Sequence, residues 1–104
     1  MAEINRRRTK RFEVQQPALV TYTNQDNREI AVITLNASID GSLVLSDTYV
    51  PAGSQVTLTI LLRDPESDAA IRLHAPGSVV RVDQRGEQKY GLAIAFAQAA
   101  KLIR

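Results

Sequence analysis

The residues best equipped for chemistry fall in two short stretches of the chain's first half. One is Asn5-Arg6-Arg7-Arg8-Thr9-Lys10-Arg11-Phe12, which holds five of the thirteen Lys and Arg residues; the other is Asn36-Ala37-Ser38-Ile39-Asp40-Gly41. Arginine presents five donors in a planar fork, which grips phosphate oxygens in pairs. The same fork fits the O6/N7 edge of guanine and stacks on its face. In an extended segment Arg7 and Arg11 lie up to about 13–14 Å apart, and far closer if the chain turns. That span suits a ligand with several phosphate and purine groups. Asn36 and Ser38 add neutral donors and acceptors at a strand end, and Gly41 permits a positive φ and close backbone approach. A purely anionic ligand has no need of Asn and Ser at this spacing. A purine nucleotide uses both.

The charge distribution sharpens this reading. Residues 1–11 carry five positive and one negative charge, while the other 93 residues carry eight positive and ten negative. A net of +4 on the arm against −2 on the rest directs an anionic partner to the arm and not to the body of the protein. At 104 residues with 44% apolar content, the chain is one domain with a single modest core. The absence of cysteine excludes a disulfide framework and a thiolate nucleophile or ligand. No apolar run reaches the length of a membrane helix, and the basic N-terminus lacks the apolar stretch of a secretory signal. The expectation is a cytoplasmic protein. Asn36-Ala37-Ser38 formally matches a glycosylation acceptor, which has little meaning without such a signal. No His is paired with a nucleophile and no carboxylates cluster, so an enzyme is not expected. The single histidine, His74, lies on an outward strand position and cannot form a metal site by itself.

Positioning these residues falls to a β-rich body. Residues 1–11 are too polar to order themselves, so residues 1–12 read as a flexible basic arm and 13–104 as the domain. Phe12 and Val14 begin the apolar pattern and would anchor the end of the arm. Strand formers fill 18–23, followed by the turn-like Asn24-Gln25-Asp26-Asn27. Residues 30–35 form a strand so apolar that both faces are expected to be covered over part of its length. A short strand follows Asp40-Gly41, and 46–54 reads as a loop. Val56, Leu58, Ile60 and Leu62 alternate with Thr57 and Thr59, the clearest period-two signal in the chain. Ile71, Leu73 and Ala75 continue the alternation up to Pro76-Gly77, where a bulge or bend is expected before Val79. Residues 84–87 read as a hairpin turn. In the last strand Tyr90, Leu92, Ile94 and Phe96 share one face and Gly91, Ala93 and Ala95 the other. Small residues there imply close approach of another element. Helix formers over 97–103 predict a short C-terminal helix of two turns at most. About six strands with short connections pair antiparallel and favour a closed or nearly closed barrel, which removes exposed edges.

Taken together, these features resemble a known family. Arg7-Arg8-Thr9-Lys10-Arg11 fits the RxxxR motif, and Asn36-Ala37-Ser38-Ile39-Asp40-Gly41 the [D/N]xSxxG motif, of PilZ domains. The strand pattern from Ala18 to Phe96 is also similar, including Gly77-Ser78-Val79-Val80-Arg81 and the closing Tyr90-Gly91-Leu92-Ala93-Ile94-Ala95-Phe96. Each motif alone is weakly specific; both in order, ahead of the right strands, are a stronger signal. The resemblance implies an all-β fold, a six-stranded antiparallel PilZ-type barrel, and cyclic di-GMP as ligand, with no other cofactor. By position, Arg7 and Arg11 would bind guanine edges and phosphates, aided by Arg6 and Arg8. Asn36, Ser38 and Gly41 would form the barrel-side wall. An arginine at position 6 goes, in this family, with a stacked pair of ligand molecules. The expected function is a cyclic di-GMP receptor that signals to a separate partner. Two alternatives stand beside it: an adaptor that has lost the ligand, and an arm that binds nucleic-acid phosphates. The second would call for aromatic stacking platforms, yet there is no Trp and the five Phe and Tyr residues fall mostly on inward positions. Arg81 is expected to be exposed on its strand.

Overall fold

The computed structural model describes residues 15–23 and 28–98, together with the backbone of 101–103. The arm and its arginines, Phe12, Val14 and the turn at 24–27 lie outside the described residues.

Seven strands follow in order: β1 (Pro17–Tyr22), β2 (Glu29–Ala37), β3 (Gly41–Ser46), β4 (Gln55–Arg63), β5 (Ala70–Gly86), β6 (Lys89–Phe96) and β7 (Lys101–Ile103). All pairings are antiparallel. The sheet runs β4-β1-β2-β3-β6-β5, and a β4–β5 ladder closes it into a six-stranded barrel. Closure leaves each of these strands paired on both sides for much of its length, so few backbone donors and acceptors face an open edge.

Period-two alternation fills the interior. Val20 from β1, Ile30 and Val32 from β2, Val44 from β3, Val56, Leu58 and Ile60 from β4, Val79 from β5 and Leu92 and Ile94 from β6 make one buried cluster. The 46–54 segment is a loop after the strand end, but it also contributes to the core, because Val50 is fully buried. Ser46 holds the start of that loop, its hydroxyl donating to the Thr48 carbonyl at 2.8 Å and accepting from the Thr48 N–H at 2.9 Å.

Four details depart from the sequence expectation. First, β2 is covered on one face only: Ile30, Val32 and Thr34 are buried while Glu29, Ala31 and Ile33 are exposed. The apolar residues of its second face simply line the outside of the barrel, as much apolar surface does in folded proteins. Second, β5 passes through Pro76-Gly77 without a break. Proline is tolerated there because the Pro76 carbonyl, accepting from Ala97 N–H at 2.8 Å, faces the gap between two ladders. β4 pairs across position 76 through Thr57, while β6 pairs with β5 from Gly77 onward and β7 with residues 72–74. The missing N–H lies on the same side as that carbonyl, at the end of the β5–β6 ladder, where a proline is best accommodated. The irregularity comes later, where the β5–β6 register shifts between Val79 and Arg81 and Val80 is left exposed. Third, the hairpin turn is Glu87-Gln88, with Gly86 opposite Lys89. Fourth, no helix is found among the described residues, and the C-terminal segment expected to be helical holds a strand instead. β7 pairs with Arg72, Leu73 and His74, the stretch of β5 that β6 does not reach. A half-open strand edge outweighs the modest helix propensity of a seven-residue segment.

Candidate functional site: the turn between β2 and β3

The candidate site begins with a local conflict in β2. Its ladder with β3 shifts register between Thr34 and Asn36, which leaves Leu35 as the extra residue of a bulge. Past the bulge, Asn36 faces Leu43 and Ala37 faces Ser42, and the chain reverses through Ile39-Asp40. Ser38 N–H donates to the Gly41 carbonyl at 2.9 Å, which closes the hairpin. The Ser38 hydroxyl accepts from Asp40 N–H at 3.2 Å and lies 3.4 Å from the Gly41 carbonyl, to which it donates weakly. Phe96 N–H in turn donates to the Asp40 carbonyl at 2.8 Å. The turn is thereby fastened to the end of β6.

Gly41 meets the same strand more tightly. A Cβ built at this position would overlap the Ile94 carbonyl oxygen, so only glycine lets β3 lie this close to β6. The expected positive φ is not found: among the described residues only Gly53 and Asp68 adopt one. Glycine is needed at position 41 for space, not for a left-handed backbone.

Asn36, Ser38 and Gly41 are thus brought together on one hairpin. Asn36 and Ser38 are half-buried, and Ile39 and Asp40 project into solvent, with Ile39 68% exposed. Arg6, Arg7, Arg8 and Arg11 lie outside the described residues. Their point of departure does not. Just before β1, Gln16 is held by Thr34: its carbonyl accepts from Thr34 N–H at 2.9 Å and from the Thr34 hydroxyl at 3.2 Å, and its own N–H donates to that hydroxyl at 3.1 Å. Thr34 is only two residues before Asn36. The chain therefore enters the barrel beside the candidate wall, and the five residues from Gln16 back to Arg11 can span up to about 17 Å.

Beside the turn the outer surface is made of small side chains. Gly41 pairs with Ala95 and Leu43 with Ala93 on β6, and Ala95 pairs with Ser78 on β5. Ala95 is exposed. Of the small-residue face on which close approach of another element is expected, Gly91 is covered by the Arg85 guanidinium, whereas Ala95 faces outward beside the turn. Arg81 is exposed, and its Nε lies 3.2 Å from a carboxylate oxygen of Asp83. The aromatics are mostly spent on packing: Tyr22, Tyr90 and Phe96 lie against the core. Among the described aromatics Tyr49 is the exception, 55% exposed and set edge-on to Tyr90 with centroids 5.6 Å apart.

Two residues of the site escape sequence reasoning. Ser42, 4% exposed, donates its hydroxyl to the Asn36 carbonyl at 2.6 Å, and Thr34 is fully buried. The signal was available: both are polar residues on inward rows that also hold Ile30, Val32, Val44 and the loop-setting Ser46. No buried side-chain nitrogen or oxygen among the described residues lacks a partner, and the printed bonds of Thr34 and Ser42 go to backbone. His74 lies on the outer face, half-buried, with Leu19, Thr21, Glu29, Thr59, Leu61 and Arg72 around a shallow recess of about 390 Å³. None of these residues belongs to turn 36–41. No group of His, Asp and Glu among the described residues is arranged to hold a metal ion.

A family model of the PilZ domain matches residues 5–104, which takes in both the arginine arm and the β2–β3 turn. The chain belongs to the PilZ domain family. Two solved structures share the fold of this PilZ domain. The Bacillus subtilis inhibitor of motility (MotI/DgrA) superimposes with a TM-score of 0.66 at 18% identity, over 92% of this chain and 44% of the other. The PilZ domain of YcgR from Escherichia coli, with c-di-GMP, gives 0.58 at 17% identity, over 89% and 79%. The present chain thus spans under half the length of the motility inhibitor. No curated protein sequence matches it. No helix among the described residues is long and apolar enough to cross a membrane.

Proposed function

We propose that this PilZ domain is a receptor for cyclic di-GMP, which it holds between its arginine arm and the β2–β3 turn. Arg7 and Arg11 take the guanine edges and phosphates, with Arg6 and Arg8 beside them, and Asn36, Ser38 and Gly41 form the barrel-side wall. One observation carries the reading above all: the root of the arm is fixed at Gln16 by Thr34, two residues from Asn36. A basic segment departing there reaches the turn without crossing the barrel. The low surface of Ala93 and Ala95 next to the turn supports the same reading, since it leaves room for a flat base.

The domain acts by binding and not by catalysis, and passes its signal to a separate protein in the cytoplasm. Its ligand state would be read out through the position of the arm. The structural likeness to an inhibitor of motility and to YcgR with c-di-GMP supports a role in second-messenger signalling, while the effector of this chain is its own.

Calorimetric titration of the purified protein with cyclic di-GMP tests the proposal, with GTP and single-stranded RNA as comparators. The expected result is saturable binding of cyclic di-GMP alone, at one ligand or a stacked pair per chain. Equal response to all three compounds would favour phosphate binding by the arm, and no response to any would favour an adaptor.

A further inference from the structure

We infer that the outer face of β2, β1 and β4 is a contact surface for a second copy of this chain, and that the domain forms a weak two-fold dimer through it. The inference is independent of the receptor reading. Apolar residues exposed singly need no explanation; Ile39, Tyr49 and Val80 are of that kind, at a turn, a loop and a bulge. Ile33, 46% exposed, and Leu61, 37% exposed, are different. On the ladders Pro17 faces Ile33 and Leu19 faces Ala31, and Leu61 is the next outward residue after Thr59, the partner of Leu19 on β4. These positions form one continuous apolar patch. Its relief is uneven. Ile33 projects from β2, whereas on the other side of β1 Thr59 is only 8% exposed and lines the recess together with Leu19 and Leu61. A knob and a hollow thus lie on one face, with β1 between them.

That arrangement is self-complementary. A two-fold axis normal to the sheet, passing through β1 between Pro17 and Leu19, lays β1 antiparallel over β1 of the second copy and sets β2 over its β4. By ladder register Ile33 then stands over the hollow at Thr59 of the second copy, Ala31 over Leu61 and Pro17 over Leu19. Each contact is made twice. The charges at the rim obey the same symmetry. Glu29, paired with Thr21 at one end of β2, falls opposite Arg63, two residues beyond Leu61 at the far end of β4. Glu29 has no ion-pair partner among the described residues, and Arg63 has only an exposed one, Asp68 at 3.6 Å. Within one chain Glu29 and Arg63 are two strands and six residues apart, roughly 22 Å, so they pair only between copies. Both side chains are long, as the diverging rim of two convex barrels requires. A convex face of about three strands buries less than the ~1,200 Å² of standard interfaces, and such complexes are weak and concentration-dependent.

Sedimentation equilibrium of the full chain, from about 10 μM to about 1 mM, tests the inference in the range where so small an interface associates. A monomer–dimer equilibrium is expected. Ile33→Thr keeps a β-branched residue at an exposed position, so the fold survives, which the melting temperature verifies. It should weaken the dimer at least about tenfold, because each substitution counts twice. Glu29→Arg and Arg63→Glu should each weaken it about threefold to tenfold, and the double variant Glu29→Arg/Arg63→Glu should recover most of the loss. The net charge of +2 rises by two in the first single variant and falls by two in the second, so a general charge effect would move them in opposite directions. A monomer at every concentration would overturn the inference and leave the face to a different protein. A dimer indifferent to Ile33→Thr, or a double variant no tighter than the singles, would overturn it equally. None of these outcomes bears on cyclic di-GMP binding, which calorimetry reads separately.

Discussion

A methyl group at position 41 would collide with the Ile94 carbonyl oxygen, and backbone on a neighbouring strand cannot swing aside as a side chain can. Gly41→Ala should therefore destabilise the barrel by about 1–3 kcal/mol, measured as a shift in the urea midpoint, and push the 36–41 turn away from β6. Cyclic di-GMP binding should fall with it. The arm arginines should behave in the opposite manner. Arg7→Ala or Arg11→Ala is expected to weaken ligand binding about tenfold or more while leaving the melting temperature almost unchanged, since both belong to a polar stretch that precedes the first apolar residues of the domain. A large loss of stability in either variant would make the arginines structural. The site at this scale was legible in part. Asn36, Ser38 and Gly41 stood out by type and spacing, but their division of labour did not. Ser38 spends its hydroxyl on Asp40 N–H and the Gly41 carbonyl, so its first task is to set the turn. Gly41 serves close packing instead of an unusual φ. Both roles depend on which strand lies alongside, and pair spacing in a sequence does not encode that.

Elements were easiest to read where one face is buried and the other wet. The alternation in β4 and β6 matches the inward rows of Val56, Leu58, Ile60, Leu92 and Ile94. Where both faces carry apolar residues, as in β2, composition cannot tell an outer surface from a second layer, and the expected cover over Ile33 is absent. The C-terminal segment was misread because propensity acts locally while β7 answers a distant need, the free edge of residues 72–74. The arm is the element on which the proposed mechanism turns. Ordering about six of its residues costs on the order of 6–12 kcal/mol in backbone entropy, whereas each charge-assisted hydrogen bond returns only about 1.5–3 kcal/mol. Several bonds must form together, so closure should be all-or-none. Amide exchange at residues 5–12 should be fast in the free protein and slowed at least tenfold at saturating cyclic di-GMP. An arm equally protected with and without ligand would exclude a closing switch.

For the molecule as a whole, the decisive property is the separation of charge between the arm and the body. Residues 1–11 carry +4 and the remainder −2, and three of the body's cations are already paired: Arg63 with Asp68, Arg81 with Asp83 and Lys89 with Asp47. These exposed pairs add little stability, but they lower the pull of the barrel surface on a polyanion. An arm that binds a small dianion and an arm that binds nucleic acid then differ in their response to salt. Five cations lying along a single strand would release condensed counterions, and affinity would fall about 100-fold between 50 and 200 mM salt. A compact ligand has no such counterion layer. Its phosphates feel only screening, and the proposed guanine contacts to arginine edges, Asn36 and the turn would be short-ranged and largely indifferent to ionic strength. Cyclic di-GMP affinity should therefore drop by less than about tenfold over the same range. Titrations at several salt concentrations, fitted as the logarithm of affinity against the logarithm of salt, separate the two cases by slope. A steep slope with cyclic di-GMP, equal to that with single-stranded RNA, would mean that the arm reads charge alone and that the β2–β3 turn plays no part in recognition.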